Sequence, residues 1–124
     1  MNITEDYCSF EVAKLLKEKG FDEKTLSYYE DNVLCHGDWN EWNRSPLGHI
    51  AAPTHQMAMK WLREVHGIFI AINNDDLDFN WQCYDLINRG STLDPKILSE
   101  SYAGYKIYEK AVEAALKYSL ENVI

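Results

Sequence analysis

Long apolar runs are missing from this chain of 124 residues. The longest, Gly67-Ile68-Phe69-Ile70-Ala71-Ile72, falls far short of the ~20 residues that a membrane-spanning helix requires. The opening Met1-Asn2-Ile3-Thr4-Glu5-Asp6 is acidic and has no apolar stretch of the kind a secretory signal carries, so none is expected. Basic residues are scarce: 12 Lys and Arg stand against 20 Asp and Glu, for a formal net charge of −8. A surface of that sign disfavours phosphate backbones, so no direct nucleic-acid binding is expected. Cysteine is sparse and odd in number, at positions 8, 35 and 83. A disulfide framework would be even and denser, so reduced thiols in a cytoplasm are the simpler expectation. The glycines at 20, 37, 48, 67, 90 and 104 are isolated, which removes a glycine-rich phosphate loop.

What is present fits one soluble α+β domain over residues 1–124, with 46% hydrophobic and 26% charged residues. Ser9 is suited to cap a helix over about 10–19, with Val12, Leu15 and Leu16 on one face. Gly20 suits the left-handed stop of that helix, and Phe21 is placed to fold back on Leu16. Thr54 follows Pro53 as the cap of a second helix, whose buried face reads Ala58, Trp61, Leu62 and Val65. A third helix is predicted from about Ile107 to Glu121, along Tyr108, Ala111, Val112, Ala115, Ser119 and Leu120. Between the helices, Leu26–Glu30 and Val33–His36 flank a turn at Asp31-Asn32. Strands over Ile68–Ile72 and Phe79–Ile87 flank a turn-rich segment, Asn73 to Asp78. The order α-β-β-α-β-β-α then implies three helices packed on a small antiparallel sheet.

Three blocks carry a resemblance. Cys8-Ser9-Phe10-Glu11-Val12-Ala13-Lys14-Leu15-Leu16-Lys17-Glu18-Lys19-Gly20-Phe21 resembles the opening of a group of small proteins from Bacteroidales and their phages. The stretch from Ala52-Pro53-Thr54 through Glu64-Val65-His66 is similar to the central block of that group, and Tyr108 to Leu116 to its closing one. The resemblance implies a phage or prophage context; it brings no activity, cofactor or catalytic residue. His36 to Ile50 lies outside it.

Chemistry-bearing residues are dispersed. The four His and three Cys show no Cys-x2-Cys or His-x3-His spacing, so neither a metal nor a cofactor is expected and no catalytic residue is assigned. A small hydrolase or metal-dependent enzyme using His and Cys remains the alternative from another class. Asp75, Asp76 and Asp78 crowd one turn but lack the glycine and distal glutamate of an EF-hand.

Charge is distributed unevenly. Residues 25–43 carry −4 and residues 64–88 carry −5, both without Lys or Arg, whereas residues 44–63 carry +3. Acidic hairpins serve solubility and the protection of sheet edges. They also suit a basic partner surface, or a decoy that competes with nucleic acid for its binding protein. Trp39, Trp42 and Arg44 sit in a polar stretch with no periodicity, and irregular segments of roughly 15 residues in small domains are commonly functional. Aromatic residues and Arg are enriched where partners bind. The expected contact surface is therefore Trp39, Trp42 and Arg44 with Asp75, Asp76 and Asp78, and the expected partner is another protein. The competing reading folds both indoles over the sheet as core caps; Trp42 is expected to be buried and Trp39 at least partly exposed. Monomer and homodimer are equally compatible with the sequence.

Overall fold

The computed structural model describes residues 3–87, 96–101 and 104–124. Its elements run α1 (Phe10–Glu18), β1 (Thr25–Glu30), β2 (Val33–Asn40), a 3-10 turn (Trp42–Arg44), β3 (Ile50–Ala51), α2 (His55–His66), β4 (Ile68–Asp75), β5 (Asp78–Asp85), β6 (Lys96–Glu100) and α3 (Tyr108–Asn122). This is an α+β fold. Its strands form two antiparallel sheets instead of one, in the orders β2-β1-β3 and β4-β5-β6. Two short pairings had no clear sequence signal: β3 has two residues, and β6 joins β5 from beyond a long connection. Contacts gather into two compact units, Met1–Ala58 and Met59–Ile124, with the boundary inside α2.

In the first unit, local chemistry sets the ends of α1. Ser9 Oγ accepts the Val12 N–H at 3.2 Å, satisfying one free donor of the first turn. Gly20 has φ +96°. The Phe21 N–H reaches the Leu16 carbonyl at 2.9 Å and the Gly20 N–H reaches that of Lys17 at 3.1 Å, the paired bonds of a Schellman stop. Phe21 and Leu16 are both fully buried. The β1–β2 hairpin turns on Asp31 and Asn32, both with positive φ, as a two-residue turn matched to strand twist demands.

In the second unit, α3 packs on β4 and β5. Ala111, Val112, Ala115, Leu116, Ser119 and Leu120 are its buried face. They meet Trp81 and Cys83 of β5, where the Trp81 ring lies 5.2 Å from that of Tyr118 and Cys83 Sγ lies 3.5 Å from Ser119 Oγ. Ile70, directly opposite Cys83, is buried on the same face. The segment Asn73–Asp78, expected as a loop, is strand up to Asp75 and from Asp78 onward, because the turn closes over Asp76 and Leu77 alone. Asp76 takes the left-handed conformation there, with φ +56°.

On α2, Thr54 Oγ1 accepts the Met57 N–H at 3.2 Å. Ala58, Trp61 and Leu62 are buried, but Val65 is 56% exposed. The last turn brings His66 inward instead, its ring 4.7 Å from that of Trp61, and leaves Val65 toward water.

Trp61, only 6% exposed, is expected to lose about 3–5 kcal/mol on Trp61→Ala, measured by urea denaturation. Burial pushes the Cys83 thiol above its ordinary range, opposed by its hydrogen bond to Ser119. The folded chain therefore holds this proton after the unfolded chain has released it. Stability from Cys83 is present below the ordinary thiol pKa and is lost as pH rises through the folded value. The gap in unfolding free energy between wild type and Cys83→Ala should thus narrow as pH rises above the ordinary thiol pKa of about 8.5.

Candidate functional site: the Trp39 groove

Sheet one inverts the usual strand pattern. Thr25 and Ser27 of β1 point inward and are buried, while Leu26 between them faces solvent. The inward hydroxyls are satisfied: Thr25 Oγ1 donates to the Ser27 carbonyl at 2.8 Å, and Ser27 Oγ lies 2.6 Å from His36 Nδ1. The Ser27–His36 pair has the spacing of a nucleophile and base. Ser27 is only 1% exposed, which keeps its hydroxyl from a substrate, while its partner His36 is exposed.

The stretch expected as an irregular loop begins as strand. β2 continues to Asn40, with a break in register: His36 to Asn40 on β2 spans Ser27 to Thr25 on β1. The surplus residues bow out around Gly37–Trp39, as a bulge does. A Cβ at Gly37 would stand 3.1 Å from both Trp42 and Tyr28. Glycine therefore lets two rings lie against the strand.

Trp42 is held. Its ring stacks on Tyr28 with centroids 4.1 Å apart, and His49 meets both rings edge-on. Its Nε1–H donates to the Thr25 carbonyl at 2.9 Å and to the Asp38 carbonyl at 3.1 Å. Trp42 is half-buried, closer to the expected core cap than to a free anchor. Asn43 ties the segment down, donating to the Phe21 carbonyl and accepting from the Ala51 N–H, each at 2.7 Å.

Arg44 is also engaged. Its guanidinium pairs with Asp22 at 2.5 Å and with Glu41 at 3.6 Å. The hydrogen bond to Asp22, with the charge of Glu41, raises its already high pKa. All three side chains are well exposed, so the pairs orient Arg44 more than they stabilise the fold.

Trp39 differs from both. It is 55% exposed and forms one wall of a shallow groove of about 150 Å³ whose other walls include Tyr7, Leu26, Pro53, Thr54 and Met57. The floor is positioned by backbone bonds from Cys8 N–H to the Pro53 carbonyl and from His55 N–H to that of Asp6, both 2.9 Å. Of these residues, Trp39 alone stood in the aperiodic polar stretch expected to bind, singled out by residue type. Leu26 carried a faint signal, an apolar residue between two small hydroxyl residues in a strand.

Asp75, Asp76 and Asp78 lie in the second unit, at the tip of the β4–β5 hairpin. They border an open cleft of about 420 Å³ with Asn80, Gln82 and Glu100. Asp78 pairs with Lys106 at 2.6 Å, whereas Asp75 and Asp76 face solvent. The expected contact surface thus falls into two parts, one in each unit. All three cysteines are free thiols. Among the described residues, no three His, Cys, Asp or Glu side chains gather closely enough to hold a metal ion, and no helix is long and apolar enough to cross a membrane. Compared with known families, curated proteins and solved structures, the chain matches none.

The two tryptophans should separate on truncation. Trp42→Ala removes a stack and two hydrogen bonds and is expected to cost about 2 kcal/mol, several degrees in Tm. Trp39→Ala should stay within about 0.5 kcal/mol of wild type. Thermal melts followed by circular dichroism check both.

Proposed function

We propose that this chain is a non-catalytic accessory protein that acts by binding another protein, and that the Trp39 groove receives it. One observation carries the reading: of two neighbouring indoles, Trp42 is stacked and hydrogen-bonded within the unit, while Trp39 stands in solvent beside an apolar groove. An exposed indole forgoes up to a few kcal/mol of burial, and tryptophan is among the residues that dominate binding energy when a partner covers them. The groove's volume suits one aliphatic or small aromatic side chain. Asp38 and Glu41 flank Trp39 in sequence, which favours a partner segment with Lys or Arg beside its apolar anchor. The resemblance to proteins of Bacteroidales and their phages supplies the setting, a bacterial cell carrying a phage or prophage.

A photo-crosslinking residue at Leu26, on the groove wall, tests this in a phage-infected Bacteroidales host. The expected result is a discrete crosslinked protein, identified by mass spectrometry. It should disappear when Trp39→Ala is added and be absent when the crosslinker sits at Asn32 on the hairpin tip. Crosslinking that ignores Trp39→Ala would overturn the assignment.

A further inference from the structure

Among the described residues, the second sheet has α3 on one face and exposed side chains on the other. α3 lies on the face formed by Trp81, Cys83 and Ile70. On the other face the register aligns Phe69, Tyr84 and Ile97 in a row across all three strands. Phe69 is 38% and Ile97 53% exposed, and the Phe69 and Tyr84 rings lie 6.3 Å apart. Moving along the strands, the next row is Ala71, Gln82 and Glu100, then Asn73 opposite Asn80, then Asp75 opposite Asp78. The face is graded, apolar at one end and acidic at the other.

Its middle is preorganised. Gln82 Oε1 accepts from Tyr84 Oη at 2.7 Å and from Asn73 Nδ2 at 3.0 Å, while Gln82 Nε2 donates to Glu100 at 3.3 Å. These bonds tie side chains from all three strands together, which lowers the ordering cost of association.

We propose that this open face binds an amphipathic helix of a partner protein. Apolar side chains at one end of that helix rest on Phe69, Tyr84 and Ile97, and Lys or Arg at its other end meets Asp75 and Asp76. The dimensions agree. From Phe69 to Asp75 β4 rises roughly 20 Å, the length of about 14 helical residues; α3, which covers the opposite face, has 15. Three strands at about 4.8 Å spacing match the roughly 10 Å diameter of a helix. Charge selects a foreign partner over a second copy. Stacking two such faces sets acid against acid or acid against the apolar row, and Lys106 at this end is paired with Asp78.

The probe is a fluorescein-labelled 15-residue helical peptide with Leu at i, i+3, i+4 and i+7 and three Lys in its last turn, followed by anisotropy. Wild type should bind it saturably. Phe69→Glu and Ile97→Glu, both at exposed positions, should each weaken binding by about tenfold or more. Asp75→Asn with Asp76→Asn should weaken it severalfold and flatten its salt dependence. Trp39→Ala should leave it unchanged, which separates this face from the groove in the first unit. Melting curves verify that each variant is folded. Absence of binding, or binding indifferent to Phe69→Glu and Ile97→Glu, would overturn the proposal. So would sedimentation showing a wild-type dimer that Phe69→Glu dissolves, since the face would then belong to a second copy.

Discussion

Two rings and a strand compete for the same space at position 37. Any Cβ there would press on Trp42 and Tyr28 at 3.1 Å, tighter than ordinary carbon contacts of about 3.5–4.0 Å. With glycine present, Trp42 settles onto Tyr28 and donates its indole N–H to two backbone carbonyls. Those bonds bridge the 3-10 turn, the end of β2 and the start of β1. The same strand segment bows out to expose Trp39. Holding one indole and presenting the next are therefore consequences of a single close approach.

The interior of the first unit shows a second economy. Thr25 and Ser27 occupy inward positions where aliphatic residues would ordinarily sit, and each finds a hydrogen-bond partner there. Buried hydroxyls are tolerated when satisfied. Their inward placement sends Leu26 outward, and with Trp39 it forms the groove walls. In the second unit burial follows the usual alternation, with Phe79, Trp81 and Cys83 turned toward α3 and Asn80 and Gln82 turned away. The open face is left with an amide network and an apolar row.

Both proposed surfaces lie on the solvent side of a sheet, and each joins apolar contact area to nearby acid. That pairing suits partners that bring a basic rim around an apolar centre. Cys83, whose thiol pKa is raised by burial, lies under α3 beside Ser119.

Helix ends and tight turns were legible in the sequence because their causes are local. Ser9, Gly20, Thr54 and Asp31-Asn32 act within a few residues, through capping bonds and permitted backbone angles. The buried faces of α1 and α3 were legible for the same reason, since helical spacing alone gathers their apolar residues. The division into two sheets was not, because pairing β1 with β3, or β5 with β6, joins segments distant in the chain. The strand character of 37–40 was hidden by Gly37, Asp38 and Asn40, all poor strand formers that tertiary pairing overrides. The difference between Trp39 and Trp42 depends on Tyr28, Thr25 and Gly37, which only folding brings beside them. Local chemistry thus determined where elements start and stop; which side chains meet water was decided by contacts between segments the sequence keeps apart.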